Sequence, residues 1–518
     1  MSCGNIPEGQ GTAEEEQVAM PRRKQVRRVD KNTCQRCKIS KSMYIVRNVT
    51  FCKPCFETAV FGRFVKLLHP PLQTPQSGSS SSRNAVSHAI RPPRQAGDVL
   101  IALSSGAGST AMLDLLLSRS YVGRGDGAVT DKTKGEKEPI WGKGWVVYVE
   151  FAGVLDGVED RLEDVKGWVE RLDKGLGWIG VRAEDVFDGE LKNRLRDIAG
   201  LASQDSGQEV EDTIAIDLKD ADLPLFSTPL SSASSTTPLD HLRKLIASLP
   251  PPSRPALLSN ILSSLLTLIS QTIPNISHLL RGETSTRQAQ RLISGTASGR
   301  GWSLPLELSA ARKDDDGLVR LKPMKDLSVK EAAVYCNLKG FNGFTRNDRR
   351  WDAAGPAGKR DARGKGGVTS LEMLTEQFIA GLSVTHPSTV STINRTGDKL
   401  VFPGEASNSP TCPVCQLPVD PSALEWKSRS ALTSLPTKTN PVASPSAGEN
   451  TTPLAPLLCY ACLTTFTPPT VNARTASTQN EPVPLPLWIG ENVARQQGNV
   501  VERATMKDQI KDFLIQDA

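Results

Sequence analysis

Cysteine is nearly absent from the long middle of this sequence, and the signature motifs of two common enzyme classes are absent throughout. Between positions 95 and 400 there is a single cysteine, Cys336. The chain has neither a G-x-S-x-G nucleophile elbow nor an H-E-x-x-H zinc motif, and its five histidines are scattered. These absences argue against an α/β-hydrolase and against a zincin metalloprotease.

Long apolar runs and aromatic residues are also scarce. No stretch approaches the roughly 20 apolar residues that a membrane-spanning helix needs, and the first residues form no apolar leader segment. Hydrophobic residues make up 38% and aromatic residues 5% of 518 positions, with 41 Gly and 36 Pro. This mixture indicates a folded core interrupted by low-complexity insertions. The formal net charge of +6 permits a nucleic-acid partner without requiring one.

Eight of the ten cysteines form four C-x-x-C pairs, two near each end. The N-terminal set is spaced C-x2-C-x14-C-x2-C and comprises Cys34, Cys37, Cys52 and Cys55. The C-terminal set is spaced C-x2-C-x43-C-x2-C and comprises Cys412, Cys415, Cys459 and Cys462. Two such turns complete the tetrahedral sulfur shell that zinc prefers, and a closed four-cysteine shell is structural rather than catalytic.

We therefore expect two structural zinc sites, although the C-terminal pairs could instead be completed by a partner chain. Metal-bound thiolates in a chain without a leader segment favour a reducing compartment, and the cytosol is the simplest location.

Strand-like and helix-like segments alternate through the middle of the chain. The segment beginning at Asp98 predicts a buried strand over 99–103, a glycine-bearing turn and a helix over 109–117. A second buried strand is predicted over 145–151. Further helical patterns cover 162–178, 240–273, 284–299 and 326–341. This alternation predicts an α/β fold with a mainly parallel sheet covered by helices.

Two helical patterns lie outside this middle region. Apolar residues recur at helical spacing just after the first cysteine module, at Phe56, Val60, Phe64 and Leu67. A short amphipathic helix is predicted over 504–518. With the linkers, these features divide the chain into a disordered tail (1–30), an N-terminal zinc module (31–69), a linker (70–94), a central α/β domain (95–400) and a C-terminal zinc ribbon-like module (401–518).

The turn after the first predicted strand could hold an anion. Small residues stand where the helix begins, and backbone N–H groups at such a position can cradle phosphate. The turn resembles the PP-loop of N-type ATP pyrophosphatases, S-G-G-x-D-S, and offers Ser104, Ser105, Gly106, Ala107, Gly108 and Ser109. The first Ser, one Gly and the last Ser are kept, whereas one Gly has become Ser and the Asp has become Gly. ATP binding by the altered loop stays open, and ATP cleavage is more doubtful.

Taken together, the quoted segments resemble the cytoplasmic tRNA 2-thiolation protein 2 family. The resemblance rests on CQRCK with FCKPCFETAVFGRFVKLL, on the altered PP-loop, on TRQAQRLISGTASGRG, on LSVKEAAVY, and on CPVC with LCYAC. It implies a PP-loop ATP-pyrophosphatase-like core, related to the adenine nucleotide α-hydrolases. It also implies a heterodimer in which a catalytic thiolase subunit adenylates the wobble uridine of tRNA. The resemblance further implies that sulfur reaches that uridine from a thiocarboxylated ubiquitin-related modifier, and it implies a link of the complex to protein urmylation.

The altered loop and the lone central thiol Cys336 argue for a non-catalytic subunit, because that chemistry needs an intact PP-loop and central cysteines. Two other interpretations remain: an ATP-dependent tRNA sulfurtransferase active by itself, and a RING-like zinc adaptor in ubiquitin-like conjugation. Basic residues that could contact tRNA are Arg287 and Arg291, on one predicted helical face, and the stretch 347–365. Solvated surface explains such residues at least as well.

Overall fold

The computed structural model describes eleven segments of the chain. They are residues 32–73, 91–123, 138–155, 157–201, 226–227, 236–345, 370–403, 410–423, 425–426, 454–466 and 483–496. The chain divides into two compact units, with the boundary between Phe56 and Glu57. The predicted tail, the basic stretch 347–365 and the predicted helix over 504–518 lie outside the described residues.

The first unit is built on a short antiparallel hairpin. Strand β1 (Tyr44–Val46) pairs with β2 (Val49–Phe51). The two turn residues, Arg47 and Asn48, have φ angles of 50° and 63°. A two-residue turn with both φ values positive matches the right-handed twist of the strands it joins. The hairpin therefore has regular geometry although neither turn residue is glycine.

The second unit contains a sheet of six strands in the order β5-β4-β3-β7-β9-β8. All neighbours pair in parallel except β8 and β9, which are antiparallel. The strands are β3 (Asp98–Ala102), β4 (Gly144–Glu150), β5 (Gly177–Arg182), β7 (Ile276–Arg281), β8 (Ala311–Lys313) and β9 (Val319–Leu321). A separate parallel pair joins β6 (Phe226–Ser227) to β10 (Val483–Pro484).

Twelve helices are bounded in the described residues. They are α1 (Lys53–Leu72), α2 (Ala107–Leu117), α3 (Leu162–Leu172), α4 (Leu191–Ile198), α5 (Pro238–Ser248), α6 (Arg254–Thr272), α7 (Ser285–Ala297), α8 (Leu304–Leu308), α9 (Val329–Leu338), α10 (Leu371–Thr385), α11 (Pro387–Gly397) and α12 (Tyr460–Phe466). Helix α3 packs on β4 and β5, α6 on β7, α2 on α9, and α7 on α10 and α11. The α/β architecture with a mainly parallel sheet is as predicted.

Local chemistry accounts for the best-predicted elements. Every residue of β4 is buried, as expected for an apolar strand covered on both faces. Helix α9 starts at Val329, three residues into the pattern predicted over 326–341, because the Ser328 side chain accepts a hydrogen bond from the Glu331 backbone N–H at 3.2 Å. The Glu331 carboxylate in turn accepts from the Ser328 N–H at 2.7 Å. This reciprocal pair satisfies two N–H groups that a helix start would leave unpaired.

One helical prediction needs correction and one is confirmed. The pattern over 162–178 predicts a single helix, but α3 ends at Leu172 and β5 begins at Gly177. A Cβ at Gly177 would lie 2.2 Å from the Trp145 ring, so this position of the strand packs directly against an aromatic side chain and has room only for glycine. The helical spacing from Phe56 to Leu67 is confirmed by α1; Leu67 is half-buried there, and the next residue, Leu68, is fully buried.

Strands β7, β8 and β9 were not predicted either. They are short, and β8 and β9 carry charged residues that a periodicity argument assigns to loops. Among the described residues no helix is long and apolar enough to cross a membrane.

Candidate metal centres and the 104–109 loop

The four N-terminal cysteines converge on one point in the first unit. Their sulfur atoms all lie within 4.8 Å of one another, and Cys37 Sγ is 3.9 Å from Cys52 Sγ. A disulfide would require about 2.05 Å, so these thiols are free. Four Zn–S bonds of about 2.3 Å in a tetrahedron place the sulfur atoms about 3.8 Å apart. The set thus has the dimensions of a site for one tetrahedral ion.

The thiols of this set have strongly divergent acidities. Hydrogen bonds from the backbone N–H groups of Ser40 and Ile39 lower the pKa of Cys37 to about 6. A side-chain hydrogen bond with Cys52 raises the pKa of Cys55 to about 12. Closely spaced thiols resist ionising together, and a divalent cation relieves this repulsion by replacing the protons. Four sulfur donors fit a borderline-soft ion such as zinc.

The C-terminal cysteines converge in the same way within the second unit. Their sulfur atoms lie within 4.8 Å of one another, with Cys415 Sγ 3.7 Å from Cys459 Sγ. Cys462 lies on α12 and is 1% exposed, and Cys412 is 0% exposed. The 43 residues between the two pairs therefore do not keep them apart. Each set closes within itself, which differs from the interleaved eight-ligand arrangement of a RING.

A polar chain from the central domain ends at this C-terminal set. The Asn260 side chain on α6 donates from Nδ2 to Cys462 Sγ at 3.8 Å. Arg300 Nη2 donates to Asn260 Oδ1 at 3.4 Å, and Arg300 Nη1 lies 3.4 Å from a Glu307 oxygen. Glu307, followed by the nearby cysteines, holds the pKa of Arg300 above its ordinary value. Side chains that orient and charge-balance thiolate ligands are typical surroundings of a metal site.

The backbone just after the carboxyl end of α7 packs against the C-terminal cysteine module. Gly299 follows the helix with a φ of +78°, and a Cβ there would lie 2.2 Å from the Tyr460 ring. The segment TRQAQRLISGTASGRG, which carries part of the family resemblance, therefore ends against the C-terminal module. Sequence reasoning missed Asn260, Gly299 and Arg300 in this role, because residues so distant in sequence gave no spacing signal.

The 104–109 loop lies where an open α/β sheet commonly binds ligands. It follows β3, and the neighbours of β3 are β4 on one side and β7 on the other. The strand order reverses direction at this point, which opens a crevice at the carboxyl ends of the strands. The predicted loop residues Ser104, Ser105, Gly106, Gly108 and Ser109 are thus brought together at the start of α2.

The hydroxyl groups of Ser104 and Ser109 are bonded within the loop. Ser109 Oγ accepts from the Ser104 backbone N–H at 3.1 Å, lies 3.1 Å from Ser104 Oγ, and donates to the Gly106 carbonyl at 3.1 Å. Ser105 adopts a φ of 53°, a left-handed conformation that glycine adopts more readily. The Ser that replaces a Gly of the PP-loop pattern is therefore accommodated at a conformational cost.

Gly108 stands where the PP-loop pattern has Asp, and it leaves no room for a side chain. A Cβ built on Gly108 would lie 2.3 Å from the carbonyl oxygen of Gly282, just after β7. A Cβ on Gly282 would meet the Ser109 Cα at 2.4 Å. The start of α2 and the end of β7 are in direct backbone contact. This close approach requires both glycines and excludes Asp from position 108.

A guanidinium group crosses over the loop. Arg161 Nη1 donates to Ser105 Oγ at 3.1 Å, and its Nη2 donates to the Phe344 carbonyl at 3.1 Å. The Phe344 ring stacks on Trp168 with centroids 3.7 Å apart and planes at 3°. Arg161 thus ties the loop to two other segments of the carboxyl edge. No sequence pattern pointed to Arg161.

The predicted tRNA-contacting arginines of α7 are engaged in ion pairs. Arg291 lies 3.2 Å from Glu283, and Arg287 lies 3.8 Å from Glu376. Glu283 is also within 3.2 Å of Arg281 and 3.1 Å of Lys322. Burial alone would raise the pKa of Glu283, but these three cations hold it well below its ordinary value. Arg291 therefore belongs to a buried ionic cluster.

Cys336 is the only cysteine among the described residues of the central region. It is 1% exposed and donates from Sγ to the Ala107 carbonyl at 3.4 Å. Burial, together with the Asp114 carboxylate, raises the pKa of this thiol to about 12. A protonated, buried thiol is neither a nucleophile nor a metal ligand at neutral pH.

Comparison with known proteins identifies relatives of the chain. The model of the family described as "Cytoplasmic tRNA 2-thiolation protein 2" matches residues 370–464. A cytoplasmic tRNA 2-thiolation protein 2 from Phaeosphaeria nodorum is 26% identical over 393 residues, covering 74% of this chain and 84% of the relative. The protein of that name from Drosophila grimshawi is 33% identical over 149 residues, covering 28% of this chain and 34% of the relative.

Among solved structures, the chain is similar to the U34-tRNA thiolase NcsA from Methanococcus maripaludis with its [4Fe-4S] cluster. The TM-score is 0.41 at 14% identity, covering 72% of this chain and 89% of the thiolase. The sequence relatives agree with the resemblance found in the sequence, and their name agrees with the expected cytosolic location. The chain is thus similar to the cytoplasmic tRNA 2-thiolation protein 2 of several organisms, both over residues 370–464 and over a longer alignment of 393 residues.

Proposed function

We propose that this chain is the non-catalytic subunit of a cytosolic complex that 2-thiolates the wobble uridine of tRNA. It pairs with a catalytic thiolase subunit, which adenylates the uridine, and sulfur comes from a thiocarboxylated ubiquitin-related modifier bound through that partner. The family supports the reaction, and the 104–109 loop supports the division of labour. The role of this chain is to stabilise the catalytic subunit and to present tRNA.

The contact between Gly108 and Gly282 carries the non-catalytic assignment. In the PP-loop pattern the Asp at this position serves metal and pyrophosphate chemistry. Here a Cβ at Gly108 would lie 2.3 Å from a backbone oxygen, so the fold itself has no space for that carboxylate. The protonated thiol of Cys336 supports the same assignment, because it supplies no sulfur carrier.

We also propose that each four-cysteine set holds one structural zinc ion. The Sγ–Sγ distances of 3.9 Å and 3.7 Å support a single tetrahedral ion in each set. Bound zinc would supply folding free energy and no open coordination position for catalysis. The adaptor alternative loses its main support, because the two sets close separately rather than interleaving as in a RING.

The proposal is tested with cells that lack this protein, by mass spectrometry of nucleosides from bulk tRNA. We expect the 2-thio group of the wobble uridine to be lost while its C5 side chain is retained. Both the wild-type chain and a Ser109→Ala variant should restore the 2-thio group. Among the residues that the structure describes, the hydrogen bonds of the Ser109 hydroxyl all lie inside the loop, and losing them costs about 1 kcal/mol each.

Protein abundance, measured by immunoblot, is the control for the Ser109→Ala variant. Failure of an abundant Ser109→Ala chain to restore thiolation would indicate a catalytic loop and would favour the self-sufficient sulfurtransferase. That alternative also requires the purified chain to convert ATP to AMP without a partner. Unchanged thiolation in cells lacking the protein would refute the proposed function.

A further inference from the structure

The first unit carries most of the positive charge excess of the chain. Residues 32–56 contain five Lys or Arg and no Asp or Glu, whereas the whole chain has a formal net charge of +6. All five cations are exposed: Arg36, Lys38, Lys41, Arg47 and Lys53. Residues 32–56 themselves contain no carboxylate, so this segment carries a local excess of positive charge.

The geometry of a four-cysteine site does not require these cations. The C-terminal set has the same dimensions, yet its two flanking segments, 410–423 and 454–466, contain no Lys or Arg. The polar side chains that reach that set are Asn260 and, through it, Arg300, which is itself paired with Glu307. Neutralising bound thiolates therefore does not account for five exposed cations in the first unit.

Two of the cations occupy positions where the backbone favours glycine. Lys38, directly after the first cysteine pair, has a φ of 58°, and Arg47, in the hairpin turn, has a φ of 50°. The position matching Lys38 in the C-terminal set is the uncharged Gln416, with the same φ of 58°. Because Gln416 shares the φ of Lys38, the turn geometry accounts for the left-handed conformation, and the two turns differ in the charge of the residue that occupies it.

Exposed apolar side chains accompany this charge. Ile39 is 87% exposed, Met43 is 66% exposed and Ile45 is 52% exposed. Small metal modules that bind folded RNA combine cations for phosphate with apolar or stacking contacts to ribose and base faces. The first unit offers both kinds of group within 25 residues.

We propose that the surface formed by Arg36, Lys38, Lys41, Arg47 and Lys53 docks on the sugar–phosphate backbone of a folded RNA. Under the proposed function this RNA is the tRNA substrate, so the inference rests on that proposal. Charge contact supplies the affinity through release of counterions. The apolar side chains Ile39 and Met43 lie against ribose or base surfaces of the same RNA.

The inference is tested with the full chain carrying Lys38→Asn, Lys41→Gln and Arg47→Asn. Asn adopts the left-handed conformation more readily than Lys or Arg, so this triple variant should fold at least as well as the wild type. Arg36 is left unchanged because it donates to the Cys55 carbonyl and so supports the metal site. The matched control is Lys313→Gln, Lys330→Gln and Lys399→Gln, three exposed lysines of the second unit.

Binding of fluorescently labelled bulk tRNA is measured by anisotropy at several salt concentrations. We expect the triple variant to bind roughly tenfold more weakly near physiological salt, and the slope of log K against log salt to fall by about 2. The control loses the same charge and should bind as the wild type does. Equal zinc content and equal urea unfolding midpoints verify that all three chains are folded.

Wild-type affinity and salt slope in the triple variant would overturn the inference, as would equal losses in the control, which would indicate bulk charge alone. Binding to phosphatidylserine vesicles with none to tRNA would also overturn it in favour of a membrane surface. The proposed function fails by a different result. If cells lacking the chain keep their 2-thiouridine while the triple variant still loses tRNA, the docking surface stands and the thiolation role does not.

Discussion

At the scale of single residues, glycine and histidine show how packing determines what a position can do. Gly106 and Gly108 are two positions apart in one loop, and their surroundings are opposite. A Cβ at Gly106 would have its nearest neighbour at 3.4 Å, an ordinary contact, whereas a Cβ at Gly108 would meet a backbone oxygen at 2.3 Å. The two glycines look alike in the sequence, but only Gly108 is required by a close contact with another element.

This difference predicts the outcome of restoring the PP-loop carboxylate. We expect Gly108→Asp to destabilise the chain by about 3 kcal/mol, because α2 and β7 must move apart, and to confer no ATP cleavage. Urea unfolding and an AMP-release assay measure the two effects. Gly106→Ala is the matched control and should change stability by less than about 1 kcal/mol. A stable Gly108→Asp chain that releases AMP would contradict the packing argument.

A buried histidine predicts part of the acid sensitivity. His278 on β7 is 6% exposed, and burial lowers its pKa from the model-compound value of 6.5 to about 4. Between pH 6.5 and pH 4 the imidazole of His278 is therefore protonated in the unfolded chain and neutral in the folded chain. The stability present above pH 6.5 is lost as the pH falls through this window, by about 3 kcal/mol in all.

Urea unfolding at pH 7 and at pH 4.5 checks this. We expect the wild type to lose more stability between the two pH values than a His278→Gln variant does, by about 2 kcal/mol. Other groups titrate equally in both chains, so the difference isolates His278. Identical pH dependence in the two chains would show that His278 protonates freely while folded.

At the scale of elements, the carboxyl end of α7 explains a motif that sequence reasoning could not interpret. Gly299 ends α7 with a φ of +78°, and Gly340 ends α9 in the same way with a φ of +76°. The Tyr460 ring covers Gly299, whereas nothing lies within 4 Å of a Cβ at Gly340. The two helix ends share a conformation and differ only in what packs on them.

We expect Gly299→Ala to cost about 3 kcal/mol and Gly340→Ala to cost about 1 kcal/mol in urea unfolding. Both substitutions force a left-handed alanine, and only the first also displaces the Tyr460 ring. The difference in unfolding free energy between the two variants measures how much the packing of Tyr460, the first residue of α12, against Gly299 contributes to stability. Equal losses of stability would mean that the Tyr460 ring does not pack tightly against the end of α7.

The elements also show how far sequence reasoning reaches. Buried apolar runs predicted β3 and β4 within one residue, and the helical pattern over 326–341 predicted α9 within three residues at each end, because local chemistry defines them. The first two residues of β5 were predicted as helix, because the packing of Gly177 under Trp145 of another strand leaves no local signal. The cysteine spacing predicted both sets of converging thiols. Arg161, Asn260 and Arg300 could not be predicted, since their partners are distant in sequence.

At the scale of the whole molecule, the two cysteine sets occupy different structural settings. The C-terminal cysteines Cys412 and Cys462 are part of the hydrophobic cluster that also contains the sheet residues Val147 and Ile179. The N-terminal set belongs to a separate compact unit. Metal bound at the C-terminal set is therefore expected to support the main core, whereas metal at the N-terminal set supports only its own small unit.

This asymmetry predicts opposite results for two matched variants. We expect Cys37→Ser and Cys462→Ser each to lower the zinc content from about two ions to about one. Tryptophan fluorescence reports unfolding of the second unit alone, because residues 32–56 contain no tryptophan. Cys462→Ser should lower the free energy of unfolding in urea by about 3 kcal/mol or more, and with it the urea midpoint, whereas Cys37→Ser should leave both unchanged.

Equal midpoints in the two variants would indicate that the C-terminal ion contributes nothing to the core. A zinc content that stays near two ions in either variant would indicate that the substituted cysteine is not a ligand. Native mass spectrometry of the full chain gives the ion count directly and serves both comparisons.

The late position of the C-terminal core residues also has a consequence for synthesis on the ribosome. Leu454, Leu485 and Ile489 pack in the same cluster as Leu257 and Ile261 of α6, which are translated long before them. Until these residues leave the exit tunnel, the part of α6 that they cover stays exposed, although α4 and β7, which also pack on α6, have already been made. The last contacts of this core therefore form late in synthesis, after residues 454–489 have emerged from the ribosome.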